Sequence, residues 1–182
     1  MSQFEYTSRE EHPSVTYDRP FRTLFEDGVE LLEASEKSGN SDFSNTLARS
    51  SIICSLLLPE LTANICIESL KLDGSIFSEV DKLAPIGKFD YFLKSRHPRR
   101  AFPVGTLPVQ ILQEIKRLRD TFVHPKKFRV EWTEQEDGSF AGSSKRTQYL
   151  DISMNPTHWY SLDAQKAMCG VHKFLSFYFR EL

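Results

Sequence analysis

The stretch RLRDTFVHPKK, residues 117–127, sets an arginine, an acid and a histidine within six residues and follows them with a proline and two lysines. Arg119 offers a planar fork of donors matched to phosphate oxygens, and His124 is a side chain that exchanges protons near neutral pH. Phosphodiester cleavage without a metal ion needs both. One group must move protons at the attacking and leaving oxygens, and a cation must face the charge that builds on the phosphoryl oxygens. Asp120 stands four residues before His124 and could orient the imidazole, or pair with Lys116 one turn back. Lys126 and Lys127 follow at once and, with Arg117, extend a positive surface that would hold a phosphate backbone in place without reading its sequence. The same string also describes a solvated helix end with stacked charges, so its place in the fold decides between the two.

The elements around it can be read from spacing. Ile111, Ile115, Leu118 and Phe122 give a one-sided apolar stripe and hence a helix over Leu107–Val123. Proline disfavours the helical conformation in the residue before it, which puts His124 at or just past the helix end. Arg119 is adjacent to Leu118, flanks the buried seam, and can point along it toward another helix or a second subunit. Upstream, Asp18 and Pro20 open a first amphipathic helix that ends at SGNSD. A long, nearly all-round apolar helix runs from about Phe43 to Leu72, capped by Asp42, kinked at Pro59 and stopped near Gly74. On it, Glu60 and Asn64 are one turn apart and could reach Arg119 across the bundle; otherwise Glu60 caps the kink or faces solvent. Residues 76–95 read as a third helix disturbed or restarted around Pro85.

RHPRRAFPVG is a loop in which Arg99 and Arg100, with Arg96 and His97, either track a phosphate backbone or are simply solvated. After Pro125 the periodicity turns to alternation. FRVEWTE and RTQYLDIS are expected as two strands joined by QEDGSFAGSSK, a β-hairpin inserted over 128–152. Trp132, Phe140 and Tyr149 would hold this hairpin against the bundle or stack on unpaired bases. His158, Trp159 and Tyr160 are expected as a packing anchor, and Ser161 as the cap of the last helix, with His172 on a partly exposed flank. The fold class is all-α, a helical bundle carrying one hairpin.

Composition agrees with one domain over residues 1–182, with 1–19 as an extended arm. Cys54, Cys66 and Cys169 are odd in number, lie in apolar helical segments and show no zinc spacing, which predicts buried thiols, no metal and no cofactor. The acidic start lacks an apolar run, and the longest apolar stretch is interrupted by polar residues, so neither a signal peptide nor a membrane span is expected and the location is read as cytoplasmic. Charge is uneven: residues 1–87 hold 7 basic and 15 acidic side chains, residues 88–129 hold 11 and 3, and residues 130–182 hold 5 and 7. A basic middle between acidic flanks serves either internal pairing or a face for a polyanion.

Arg119-Asp120-Thr121-Phe122-Val123-His124, with Asp directly after the arginine, resembles the R-x4-6-H signature of the HEPN superfamily (higher eukaryotes and prokaryotes nucleotide-binding domains). The resemblance extends over roughly residues 20–182: two long antiparallel helices, the second rich in small, apolar and isolated polar residues (LLLPELTANICIESL), and a later helix ending in the motif. It implies a four- or five-helix bundle of HEPN type, to which the hairpin is an elaboration. It further implies a homodimer that brings two Arg and His pairs into one cleft, with RNA or a nucleotide as ligand and an antitoxin or other protein as partner. Many members look like metal-independent endoribonucleases of toxin–antitoxin, phage-defence or RNA-processing systems, which cut by attack of the ribose 2′-hydroxyl. Carried onto this chain, His124 would be the general acid or base, Arg119 would stabilise the phosphorane, and Asp120 would orient. Other members have lost activity and serve as binding modules.

Overall fold

In a computed structural model, residues 20–124 and 127–182 are described, except for the side chains of Phe140 and Ala141. The arm 1–19 with its Asp18 cap, Lys126, and any packing role of the Phe140 ring lie outside the described residues. Among the described residues, six α-helices and a two-stranded antiparallel sheet make the fold, so the all-α class with a small hairpin holds. Helix α1 (Pro20–Lys37) begins on a proline, whose missing N–H costs nothing in a first turn. Helix α2 (Ser41–Glu68) is capped by Asn40, whose side chain accepts from the Phe43 amide at 2.9 Å. The expected cap, Asp42, lies inside the first turn instead, and the helix ends at Glu68 rather than Leu72. The region read as a third helix disturbed or restarted around Pro85 is two helices, α3 (Gly74–Asp81) and α4 (Pro85–Arg96), the second restarting at that proline, because a proline starts a helix more readily than it continues one.

Helix α2 is the axis of the bundle, in contact with α1, α4, helix α5 (Leu107–Val123) and helix α6 (Ser161–Glu181). It is the one described helix long and apolar enough to cross a membrane, and 56% of its most apolar window is buried among its neighbours. One half of the core joins Ile52, Leu56 and Leu58 of α2 to Ile111, Ile115 and Leu118 of α5, Val171 of α6 and the fully buried Trp159. The other half stacks Phe89 of α4 against Phe174 and Tyr178 of α6, with ring centroids 5.0 and 4.6 Å apart, and the Tyr178 hydroxyl donates to the Phe89 carbonyl at 2.7 Å. Between α1 and α2, Ser51 of α2 donates to the Gly28 carbonyl at 2.7 Å, and a side chain at Gly28 would press on Cys54 and Met168 at 3.2 Å.

Helix α6 makes its own close approach at Gly170, where a Cβ would lie 2.5 Å from Leu150 Cδ2 and 3.2 Å from Ile111 Cγ2. Gly170→Val is expected to destabilise the fold by about 1–3 kcal/mol, the usual range for overpacking, because two buried side chains must give way. Urea denaturation of the variant beside wild type checks this.

The hairpin departs from expectation. Strands β1 (Glu131–Glu134) and β2 (Phe140–Ser143) pair Trp132 with Gly142 and Glu134 with Phe140. Gly138 at φ 78° closes the turn, and the Asp137 carboxylate accepts from the amide and hydroxyl of Ser139 at 2.9 and 2.6 Å. The chain therefore reverses inside the segment expected as a long connection, so the second strand is 140–143, not 146–153. Residues 146–153 form a tight loop instead, with Thr147 N–H donating to Ile152 at 2.8 Å, a bridge between Arg146 and Ser153, and Asp151 at φ 51°. Trp132 and Tyr149, expected to brace the hairpin, are 67% and 44% exposed. Of the anchor before α6, Trp159 is fully buried and stacks with Phe122 at 6.0 Å, while Tyr160 is exposed. The N-cap of α6 is Tyr160, not Ser161, and the Asp163 carboxylate in the first turn accepts from the Tyr160 amide at 3.1 Å. Of the three thiols only Cys66 is buried, its pKa pushed up to about 11 by desolvation; Cys54 is half-buried and Cys169 stands exposed on α6.

Candidate functional site

Helix α5 runs over the residues expected of it, and His124 follows as its cap, at φ -119° and ψ 71°, out of the helical path. The helix keeps its last hydrogen bond, from the His124 amide to the Asp120 carbonyl at 2.9 Å, but no side-chain hydrogen bond between Asp120 and the imidazole is present among the described residues. The orienting role expected of Asp120 is therefore not what this arrangement shows. Its carboxylate is engaged instead by other donors, accepting from Lys116 Nζ at 2.6 Å and from Arg119 Nη2 and Nε at 2.9 and 3.2 Å.

Arg119 is flanked by two acids. Its Nη1 donates to the Glu60 carboxylate of α2, closing an ion pair across the interhelical seam, while Nη2 holds Asp120. The Arg119 side chain is 24% exposed. Burial alone would lower its pKa, but the hydrogen bond to Asp120 and the charge and hydrogen bond of Glu60 more than offset this and hold it above its ordinary value. The reach of Glu60 to Arg119 was readable from sequence. That of Asn64 was not: its side-chain oxygen accepts from Lys88 Nζ of α4 at 2.7 Å, and the buried Lys88 also pairs with Asp81 at 2.7 Å.

Partial burial would raise the Asp120 carboxyl, yet the hydrogen bonds from Lys116 and Arg119 hold it below the usual carboxylate range. A carboxylate with a lowered folded pKa adds stability above its unfolded pKa, and that contribution disappears as pH falls through the folded one. Asp120→Asn is therefore expected to lower the denaturation midpoint at pH 6, with the gap to wild type narrowing as pH falls below about 4. Equal midpoints at pH 6 would show that the cluster adds nothing.

Two concavities meet α5 on different sides. A narrow cleft of about 10 Å³ holds Arg119, Glu60 and Lys116 with Pro59, Pro85, Leu112 and Ile115. An open groove of about 570 Å³ is lined by Arg117, Asp120, Thr121, His124, Lys127, Phe128 and Met154. Arg117, His124 and Lys127 thus share one surface, whereas Arg119 serves the seam, as residues five apart on a helix point about 140° away from each other. Asp120 is the side chain common to both sides, tied to Arg119 and lining the His124 groove. Arg99 and Arg100 lie with Arg96 and His97 around a separate exposed hollow of about 420 Å³, and Arg96 rests on the Phe92 ring at 5.7 Å.

Two residues of consequence were not singled out from sequence. Met154 reaches the groove from a loop 30 residues beyond His124, and nothing local signals it. Glu114 is buried on α5 and accepts from the backbone amides of Gln148, Tyr149 and Leu150, at 2.7 to 3.1 Å. Its signal was present: an acid between Ile111 and Leu118 falls on the apolar stripe, where a carboxylate needs donors. It fixes the loop that carries Met154 on toward the groove. Comparison of the chain with protein families, with curated proteins and with solved structures found no match.

Proposed function

We propose that this chain is an HEPN-type domain acting on RNA, a metal-independent endoribonuclease in which His124 transfers protons and Arg119, turning out of the seam from Glu60 and Asp120, faces the phosphorane. The observation that carries the reading is the release of His124 from the end of α5 into an open groove shared with Arg117 and Lys127, one turn beyond an arginine held at the interhelical seam. In the reaction the ribose 2′-oxygen attacks phosphorus as its proton leaves to a base. The bond to the 5′-oxygen breaks as that oxygen takes a proton from an acid. The products are a 2′,3′-cyclic phosphate and a 5′-hydroxyl. A single His124 supplies one of the two proton transfers, and a homodimer that pairs two grooves supplies the other, each histidine taking one role. Lys127 and Arg117 hold the strand by charge, and an antitoxin or other protein would act by covering the groove.

The test is incubation of mixed single-stranded and structured RNA with the protein in excess chelator. Expected are fragments ending in 2′,3′-cyclic phosphate, and none when the substrate's 2′-hydroxyls are methylated. A folded dimer that leaves every such RNA intact would sink the nuclease reading.

A second reading has its own observation. Arg119 is saturated by two carboxylates, Glu60 and Asp120, in the isolated chain, which suits a module that binds RNA, a nucleotide or a protein partner without cutting. Binding without cleavage in the same assay is its signature.

A further inference from the structure

Between the hairpin and the segment entering α6 lies a hollow of about 200 Å³, lined by Gly142, Ser143, Ser144, Arg146, His158 and Tyr160. Pockets for drug-sized ligands begin near ~300 Å³, so this one suits a single flat ring system. Its polar groups are organised. Ser144 Oγ lies 2.6 Å from Ser153 Oγ and 3.3 Å from His158 Nδ1, which leaves His158 Nε2 without a hydrogen-bond partner among the described residues. Arg146 is already tied to Asp151 at 2.7 Å and Asp163 at 2.9 Å, so the hollow presents little net charge and favours a neutral ligand over a phosphate.

The wall of this hollow also supports an aromatic platform. Gly142 pairs with Trp132 across the hairpin, and a Cβ at 142 would lie 3.2 and 3.3 Å from the indole Cζ3 and Cη2 atoms. A side chain at 142 would therefore press on the indole, which would have to give by a few tenths of an ångström. Trp132 is 67% exposed, and Tyr160, which lines the hollow, is 47% exposed. Two open aromatic rings beside a small neutral pocket with hydroxyl and imidazole groups form the arrangement that unpaired bases occupy, stacked on a ring and hydrogen-bonded at their edges. The acids of the hairpin fix the direction of approach. Glu134, Glu136 and Asp137 lie toward its tip, and Glu131 is engaged by Arg129 at 3.2 Å, so a phosphate chain is repelled from the tip and met by Lys127 at the base. Lys127 also lines the His124 groove.

We propose that this pocket takes one unpaired nucleobase of a single-stranded RNA whose backbone passes Lys127 into the His124 groove. The proposal rests on the RNA reading above, but on different side chains. Trp159 is fully buried, so a ligand that changes tryptophan emission by direct contact reports Trp132.

The experiment titrates the full chain with fully 2′-O-methylated single-stranded oligonucleotides of each base, which cannot be cut by 2′-hydroxyl attack, reading tryptophan quenching and anisotropy together. Expected is quenching on binding, with affinity about tenfold weaker in Trp132→Ala and nearly restored in Trp132→Phe. Tyr160→Ala and Gly142→Val, whose new side chain presses on the indole, weaken binding as well, each checked by circular dichroism. Oligonucleotide binding that neither quenches tryptophan nor depends on Trp132 overturns the pocket and leaves the nuclease reading standing. Quenching by the methylated strand with no cleavage of ordinary RNA sinks the nuclease and keeps the pocket. A wild-type protein that binds none of the oligonucleotides overturns both.

Discussion

His124→Ala is expected to lower RNA cleavage by about 10²- to 10⁴-fold, the range over which a positioned acid or base acts, while leaving the melting temperature near that of wild type. The two halves of this expectation rest on different observations. The imidazole is exposed, caps α5 through its backbone alone, and makes no side-chain hydrogen bond among the described residues, so its removal takes away little structure. Arg119→Ala is expected to abolish cleavage too, but it is the less clean experiment. It leaves Glu60 and Asp120 facing each other across the seam without the guanidinium between them, so lost activity and lost packing arrive together. Arg119→Lys keeps the charge and loses the fork, and an activity loss without a stability loss in that variant would place the arginine's role on the phosphate. If His124→Ala cleaves as fast as wild type, the assignment of His124 fails however well Arg119 behaves.

Glu114→Ala is expected to destabilise the fold by about 3 kcal/mol or more. Three backbone amides, those of Gln148, Tyr149 and Leu150, lose their common acceptor, and an unmet buried donor costs roughly 1–3 kcal/mol. The sum is discounted because Gln148 and Tyr149 are exposed residues whose amides can turn to water, while that of the buried Leu150 is less able to. Glu114→Gln retains one acceptor oxygen and should lose about half as much. Urea unfolding of the three proteins checks the order. A Glu114→Ala midpoint equal to wild type would mean that the loop holds itself. In that variant the groove should also loosen, because Met154 and Trp159 follow directly on the loop that Glu114 fixes.

What could be read from the chain, and what could not, divides by the range of the forces involved. Helix α5 was legible to the residue because its determinants are local: a proline in its first turn, a stripe at helical spacing and a proline after His124. The Glu60–Arg119 pair was legible as a need, since a carboxylate on a mostly apolar helix seeks a cation. Asn64, one turn away, has the same need but is met by Lys88, and the choice between two cations depends on how α4 docks, which no spacing encodes. The second strand was misplaced because RTQYLDIS alternates like a strand, while the Asp137–Gly138 turn closes the chain sooner than that alternation begins. The alternation instead serves a loop whose buried Leu150 and Ile152 enter the core. Of the site, His124, Arg117 and Lys127 come together as neighbours in sequence would; Arg99 and Arg100 form a hollow of their own, and Met154 enters from a distance no motif spans.

The unequal thiols have a practical consequence. Cys66 lies in the core and stays protonated well into alkaline conditions, and the Cys54 thiol is likewise held protonated above its ordinary range by desolvation. Cys169 stands in solvent midway along α6. Reactivity follows the exposed thiolate, so a maleimide spin label added to the folded native chain marks α6 at one position without any substitution. In a two-fold assembly that single label becomes a pair, and the distance between its members is a ruler for how two copies of the bundle meet.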